Sequence, residues 1–202
     1  MRDPEALPVM ESFYTIQGEG AFVGTAAHFL RLGGCDVGCK WCDVKESWSA
    51  DDHPWIAIDE ILPEIVKSKV NLAVITGGEP MLYNLTKLTK LLKQQKIRTN
   101  VETSGTSKIS GAWDWICFSP KKFKRPLQEY YDQADELKIV IFHKSDFAWA
   151  ERHAAKMHKD AALYLQPEWS KENEITPLIV EYVKKHPKWK ISIQTHKYMQ
   201  IP

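Results

Sequence analysis

"NLAVITGGEP", residues 71–80, is a run of apolar and β-branched residues that stops on two glycines, an acid and a proline. An apolar run of that length reads as a buried strand, and the glycine pair marks its end. The arrangement recurs downstream. "TNVETSG" (99–105), "ICFSPK" (116–121) and "LYLQPE" (163–168) each put a polar cluster at the carboxyl end of a strand-length apolar run.

The full set of strand candidates is "AHFLRL" (27–32), "NLAVIT" (71–76), "IRTNVET" (97–103), "WICFS" (115–119), "ELKIVI" (136–141), "ALYLQ" (162–166) and "KISIQT" (190–195). Helical patterns lie between them. "IDEILPEIVKSK" (58–69) starts near Asp59, with Pro63 set against a long first turn. "NLTKLTKLLKQQ" (84–95) carries Leu85, Leu88, Leu91 and Leu92 on one stripe, with Asn84 placed to cap it. "SDFAWAERHAAKMH" (145–158) follows Ser145, and "SKENEITPLIVEYVKKH" (170–186) opens acidic and closes basic, as the helix dipole prefers. "SGTSKISGAWD" (104–114) is too short and glycine-broken for a helix.

Strands alternating with helices imply right-handed parallel β-α units, hence an α/β fold with an open sheet or an incomplete barrel. In such barrels the carboxyl rim of the strands carries the chemistry, so the polar clusters are expected to share one site. No repeat or linker divides the chain, and a single domain over residues 1–202 is expected. At 44% hydrophobic and 26% charged residues, the composition is that of a globular protein. A net charge of +1 gives no bulk attraction for nucleic acid or membranes. The chain has no apolar run approaching the ~20 residues of a membrane span. "MRDPEALPVMESFY" lacks the apolar core of a signal peptide, so a cytoplasmic location is expected. The basic run "KKFKR" (121–125) reads as a solvated loop rather than an RNA contact.

After the first of these strand candidates comes "LRLGGCDVGCKWCDVKESW" (30–48), with Cys35, Cys39 and Cys42 spaced C-x3-C-x2-C. Thiolates at this spacing suit zinc or an iron–sulfur cluster. Zinc would need a fourth ligand, for which His53 is the nearest candidate, and would leave a non-catalytic interaction domain as one reading. A cluster held by three cysteines leaves one iron open to a small chelating molecule. Cys117, far away in "WDWICF", reads as a buried small hydrophobe.

The cysteine loop, with Trp41 before its last cysteine, and "TGGEP" (76–80) resemble the signature of radical S-adenosylmethionine enzymes. That resemblance implies a 4Fe–4S cluster on Cys35, Cys39 and Cys42. Its open iron is chelated by S-adenosylmethionine, which is cleaved to an adenosyl radical that abstracts hydrogen from the substrate. Glycine at 77 and 78 would let the backbone approach the cosubstrate. Within that superfamily a glycyl-radical activase is a rival reading, against which "IQGEG" and "QTHK" speak.

The likeness goes further. "ESFYTIQGEGAFVGTAAHFLRLGGCDVGCKWCD", "TGGEP", "VETSGT", "CFSPK", "LQPE" and "SIQTHKYMQIP" resemble the 7-carboxy-7-deazaguanine synthases over nearly the whole chain. The resemblance implies ring contraction of 6-carboxy-5,6,7,8-tetrahydropterin with loss of ammonia, on the route to queuosine and related 7-deazapurines. It also implies Mg2+ assistance, a homodimer, and an electron-donor protein such as a flavodoxin. By analogy, Ile16, Gln17, Gly18, Glu19 and Thr76 read the ring edges, and Arg31, with His196, faces the carboxylate. Trp41, Cys42, Asp43, Gly78, Glu79, Ser104, Ser119, Pro120, Lys121 and Gln166 hold the cosubstrate. The tail, ending at Pro202, folds over the pterin. One position departs from the pattern: the family's Mg2+-contacting hydroxyl after "CD" is here Val44, which has no oxygen, so weak Mg2+ binding is expected.

Replacing Cys35, Cys39 or Cys42 by Ala is expected to abolish cluster binding and turnover, whereas Cys117→Ala leaves the iron content nearly intact. Iron and sulfide analysis after anaerobic reconstitution checks this. A Cys117 as necessary as the other three would overturn the open-iron reading.

Overall fold

The computed structural model describes residues 5–202, so the first four residues of the N-terminal stretch lie outside it. Its strands are β1 (Ala6–Ile16), β2 (Ala26–Leu32), β3 (Trp55–Ala57), β4 (Leu72–Gly77), β5 (Arg98–Thr103), β6 (Trp115–Phe118), β7 (Glu136–Ile141), β8 (Ala162–Pro167) and β9 (Trp189–Ile191). The helices are α1 (Ile58–Lys67), α2 (Thr86–Gln94), α3 (Gln128–Gln133), α4 (Asp146–Ala154), α5 (Glu172–Lys185) and α6 (Thr195–Met199). All nine strands join one sheet in the order β3-β1-β2-β4-β5-β6-β7-β8-β9. From β2 to β9 every neighbouring pair is parallel; only the β1–β2 and β1–β3 pairs are antiparallel. The sheet does not close, which makes this the incomplete β/α barrel expected from the alternation.

Strand alternation sorts the side chains. Leu137, Ile139 and Ile141 of β7 join Ile116, Phe118, Leu165 and the α5 residues Ile175 and Ile179 in one buried core. A second core gathers Leu30, Leu32 and Ile75 with Ile58, Ile61 and Ile65 of α1 and Leu88 and Leu92 of α2. The intervening strand residues, among them Arg31, Thr76, Glu102, Lys138, Val140 and Gln166, point to the other face and line a cavity.

Several elements differ from the sequence reading. β1 was not anticipated because "ALPVMESFYTI" breaks its alternation: a register irregularity between Val9 and Glu11 shifts the faces, and Pro8 lies in the strand. β3 and α3 are too short to show a period, although α3 is fixed by buried Tyr130 and Tyr131. Pro63 does not end α1; it lies on an exposed face, where the carbonyl it leaves unpaired can meet water. The N-cap position of α2 falls on Leu85 rather than Asn84; Asn84, one residue earlier, accepts the Thr86 backbone N–H at 3.0 Å and turns the chain into the helix. The largest difference is at "KISIQT". β9 is set one residue earlier, on buried Trp189, and stops at Ile191; residues 195–199 form α6 instead. The polar atoms of the tail find partners in the loop after β1: Thr195 donates through its backbone N–H and Oγ1 to the Gly18 carbonyl, each at 3.0 Å.

Gly77, the last residue of β4, has φ of +148°, and a Cβ built there would lie 2.2 Å from the Leu32 carbonyl oxygen and 2.6 Å from its nitrogen. Both are backbone atoms of the adjacent strand and cannot swing aside. Gly77→Ala is therefore expected to cost about 2 kcal/mol or more, read as a lowered Tm by circular dichroism. An unchanged Tm would show that the β2–β4 pair can shift to admit a methyl group.

Candidate functional site

The strand register builds the site. Arg31 of β2 lies beside Thr76 of β4, and Glu102 of β5 lies beside Cys117 of β6. Lys138 of β7 lies beside Tyr164 of β8, and Val140 beside Gln166. A cavity of about 440 Å³ opens over these inward residues at the carboxyl rim. Three groups close it: the loop after β1 (Ile16 to Glu19), the cysteine loop, and the tail with His196, Lys197 and Pro202. The sequence motifs thus meet at one place.

One wall is the cysteine loop. Cys35, Cys39 and Cys42 all line the cavity. His53 does not; its Nε2 is 2.8 Å from the Glu46 carbonyl. No three His, Cys, Asp or Glu among the described residues stand in single-ion geometry. Burial pushes the Cys39 thiol up to about 11 and raises that of Cys35. Thiols held this way need positive charge brought to them before they ionise, and cluster irons supply it. The loop is braced by β4: Gly78 donates to the Leu32 carbonyl at 2.9 Å, and Glu79 to that of Gly34 at 2.8 Å. A Cβ on Gly78 would lie 2.3 Å from the Gly34 oxygen and 2.8 Å from the Cys35 Cβ. Glycine is thus required here first by the cysteine loop itself.

The opposite wall is polar. Glu19 is no solvated turn acid: it pairs with Lys138 Nζ, and its Oε1 accepts from Gln194 Nε2 at 2.8 Å. Burial alone would raise this carboxyl, but Lys138, Gln194 and His196 outweigh it and hold it down to about 2. Gln17 Nε2 donates to Glu102 Oε1 at 2.9 Å. Burial pushes the half-buried His196 imidazole down, against the opposing pull of Glu19. Arg31 lines the cavity while its Nε donates to Glu11 Oε2 at 2.7 Å. Arg31 is thus at once a cavity cation and the partner of a surface acid.

Between the walls stand Trp41, Asp43, Val44, Ser104, Ser119 and Lys121. Lys121 donates to the Ser119 carbonyl at 2.7 Å and to its Oγ at 2.6 Å, and lies 5.9 Å from the Trp41 ring centre. Two of the expected cosubstrate residues are absent from the cavity wall. Glu79 is buried beneath it, accepting from Thr103 Oγ1 at 2.6 Å, Ser104 N at 2.8 Å and Met81 N at 3.1 Å. Pro120 faces a smaller neighbouring hollow with Lys122 and Trp149. The basic run is partly spent on internal pairs, Lys122 with Asp146 and Lys124 with Asp36. The sequence reading missed Glu102, Lys138, Trp169 and Lys197, all of which line the cavity. A lysine at the inward phase of "ELKIVI" was the available signal for Lys138.

Comparison with known proteins agrees with this geometry. The profile of the Radical SAM superfamily matches residues 30–116, from the last turn of β2 into β6. The chain is 55% identical to the 7-carboxy-7-deazaguanine synthase of Flavobacterium psychrophilum, over 98% of this chain and 94% of the relative. It is 45% identical to that of Synechocystis sp., over 96% and 93%. The crystal structure of QueE from Escherichia coli superposes with a TM-score of 0.85 at 30% identity, covering 94% of each chain. With relatives this similar over nearly its whole length, the chain belongs to the 7-carboxy-7-deazaguanine synthase family.

Proposed function

We propose that this chain converts 6-carboxy-5,6,7,8-tetrahydropterin to 7-carboxy-7-deazaguanine with release of ammonia, feeding queuosine and related 7-deazapurines. The observation that carries the reading is one cavity bounded by three thiols on one side and a charged, acceptor-rich floor on the other. Cys35, Cys39 and Cys42 would hold a 4Fe–4S cluster, the soft donor set such a cluster requires. Trp41, Asp43, Gly78, Ser104, Ser119, Lys121 and Gln166 would bind S-adenosylmethionine beside it. When bound, these groups supply an adenosyl radical that takes a hydrogen atom from the substrate.

The residues themselves bind and orient the pterin. Glu19, Gln17 and the Ile16–Gly18 backbone offer acceptors and donors to the ring edges, and Thr76 adds a hydroxyl. Arg31 has only its Nε engaged among the described contacts, which leaves its two terminal nitrogens for a carboxylate. The tail shields the site from water. Lys197 Nζ is 3.1 Å from Asp43 Oδ2, Thr15 Oγ1 donates to the Pro202 carbonyl at 3.2 Å, and Tyr198 packs edge-on to Trp169 at 5.7 Å. The side chains present are a poor fit to a magnesium site: Val44 brings no side-chain oxygen to the cavity, and Asp43 is paired with Lys197. No step is assigned to that ion.

A protein electron donor such as a flavodoxin, and a homodimer, belong to the same reading. Exposed Ile191, Ile193, Leu178 and Val180 around the unpaired edge of β9 supply apolar surface for a second copy. No described helix is long and apolar enough to cross a membrane.

Anaerobically reconstituted protein is expected to be brown, to absorb broadly in the visible, and to convert the carboxytetrahydropterin to the deazapurine when S-adenosylmethionine and a reductant are added. A reconstituted cluster with no product from this substrate would overturn the assignment. Deleting Gln200 to Pro202, or adding a C-terminal tag, is expected to weaken pterin binding about tenfold or more while cluster content stays normal. Full affinity with the tag in place would show that the tail is only an end.

A further inference from the structure

Lys138 stands in the middle of β7 between apolar residues, with a side chain only 4% exposed. An isolated buried ammonium is costly, and one kept at a cavity floor calls for a reason. Its Nζ pairs with Glu19 Oε2 and lies 3.3 Å from Glu102 Oε2. Each carboxylate also accepts one amide, Gln194 Nε2 on Glu19 and Gln17 Nε2 on Glu102. Glu19, Glu102 and Lys138 all line the cavity.

We propose that Lys138 is a positioning residue that sets which substrate edge the site accepts. Its ammonium holds Glu19 and Glu102 together as an anionic pair, so the floor takes a ring edge made of N–H donors. This rests on the pterin reading, since the amidine edge of a 2-amino-4-oxo ring presents such donors.

The chemistry follows from charge and lone pairs. An ionised carboxylate only accepts hydrogen bonds and has about four lone-pair sites, so one amide and one ammonium leave capacity on both acids. Two acids and one ammonium sum to a single negative charge, which favours a donor edge and disfavours an acceptor edge. Other titratable groups face this floor from the neighbouring elements. Below Lys138, burial raises the Cys117 thiol well above its ordinary value and raises the Glu136 carboxyl. On β8, burial raises the Tyr164 phenol. Towards the rim, burial pushes both the Lys121 ammonium and the His196 imidazole down. Burial would lower Lys138 as well, but Cys117, Glu102, Glu19 and Glu136 together raise it well above the usual lysine range. It therefore stays charged. Glu136 steadies the same loop from below, accepting the Ala21 N–H at 3.2 Å.

Without the ammonium, the two partly buried carboxylates that converge on its position are left with no counter-charge between them and are expected to share a proton. The protonated acid then turns an O–H towards the substrate's N–H. Affinity falls, and it returns as rising pH removes the proton.

The test titrates pterin, which carries the same ring edge, into the cluster-loaded enzyme with cosubstrate withheld, followed by quenching of pterin fluorescence. Wild type and Lys138→Arg are expected to bind alike and nearly independently of pH between about 6 and 8. Lys138→Met is expected to lose about tenfold or more in affinity at neutral pH and to regain it as the pH rises. Cluster absorbance and Tm report folding in each variant. Should Lys138→Met not hold the cluster, the Lys138→Met/Glu102→Gln double variant, which removes one charge of each sign, is expected to bind without the pH dependence. Wild-type binding with an indifferent Lys138→Met, or a loss that pH does not reverse, would overturn this assignment alone. Wild-type protein that binds no pterin would overturn the pterin reading and this assignment with it.

Discussion

The carboxylate of Glu79 is buried where β4, β5 and the cysteine loop come together, and the arrangement of the site depends on how it is satisfied. Its oxygens take the Thr103 hydroxyl, the Ser104 hydroxyl and N–H, and the Met81 N–H, while its own N–H holds the Gly34 carbonyl. A carboxylate buried this deeply is tolerable only because it is so fully bonded, and losing one of these donors would cost about 1.5–3 kcal/mol. The consequence is geometric. The end of β4 is bound to the end of β5 and to the start of the cysteine loop, so wall and rim cannot move independently. Ser104 thus both lines the cavity and belongs to this knot.

That knot explains why the glycine pair and the acid of "TGGEP" occur together. Gly77 lets β4 end against the Leu32 backbone, Gly78 lets the cysteine loop close on it, and Glu79 ties both to β5. The sequence marks the motif as a site element, but the spacing does not say that the acid turns inward. A G-G-E-P stretch is compatible with a carboxylate facing a ligand and with one buried under it. Only the hydroxyls of Thr103 and Ser104, supplied by the next strand, decide between the two.

The parallel core was legible for a related reason. Strands β4 to β8 bury one whole face under helices and part of the other beneath the cavity, so their apolar runs stand out, and most end in a residue cluster that cannot continue a strand. β1 was harder to see. It bears the register irregularity, and its outer partner β3 has only three residues. Of the cavity residues, those in glycine-, cysteine- or proline-marked loops were readable, whereas Glu102 and Lys138 sit inside strands. There a charged residue looks like an interruption unless the opposite face is known to be a cavity. The sequence reading carries the last strand too far, to Thr195, where the structure ends it at Ile191 and begins α6. The tail's fate depends on Gly18 and Glu19 almost the whole chain away, and local pattern carries no such information.

The open sheet makes that long-range contact necessary. An incomplete barrel leaves one flank of its cavity without strands, and the carboxyl rim would face water there. β9 ends after three residues, and the chain turns back through Gln194 and Thr195 onto the loop after β1, the element that follows the antiparallel edge. Contacts between residues so distant in sequence carry a high closure entropy, offset here by several bonds made together. Glu19 is the meeting point: it takes Gln194 from the tail and Lys138 from the sheet, so the last element to be placed reports directly on the charge at the floor. The same bonds that hold the chain's end in place thus run through the acid that sets the charge at the floor.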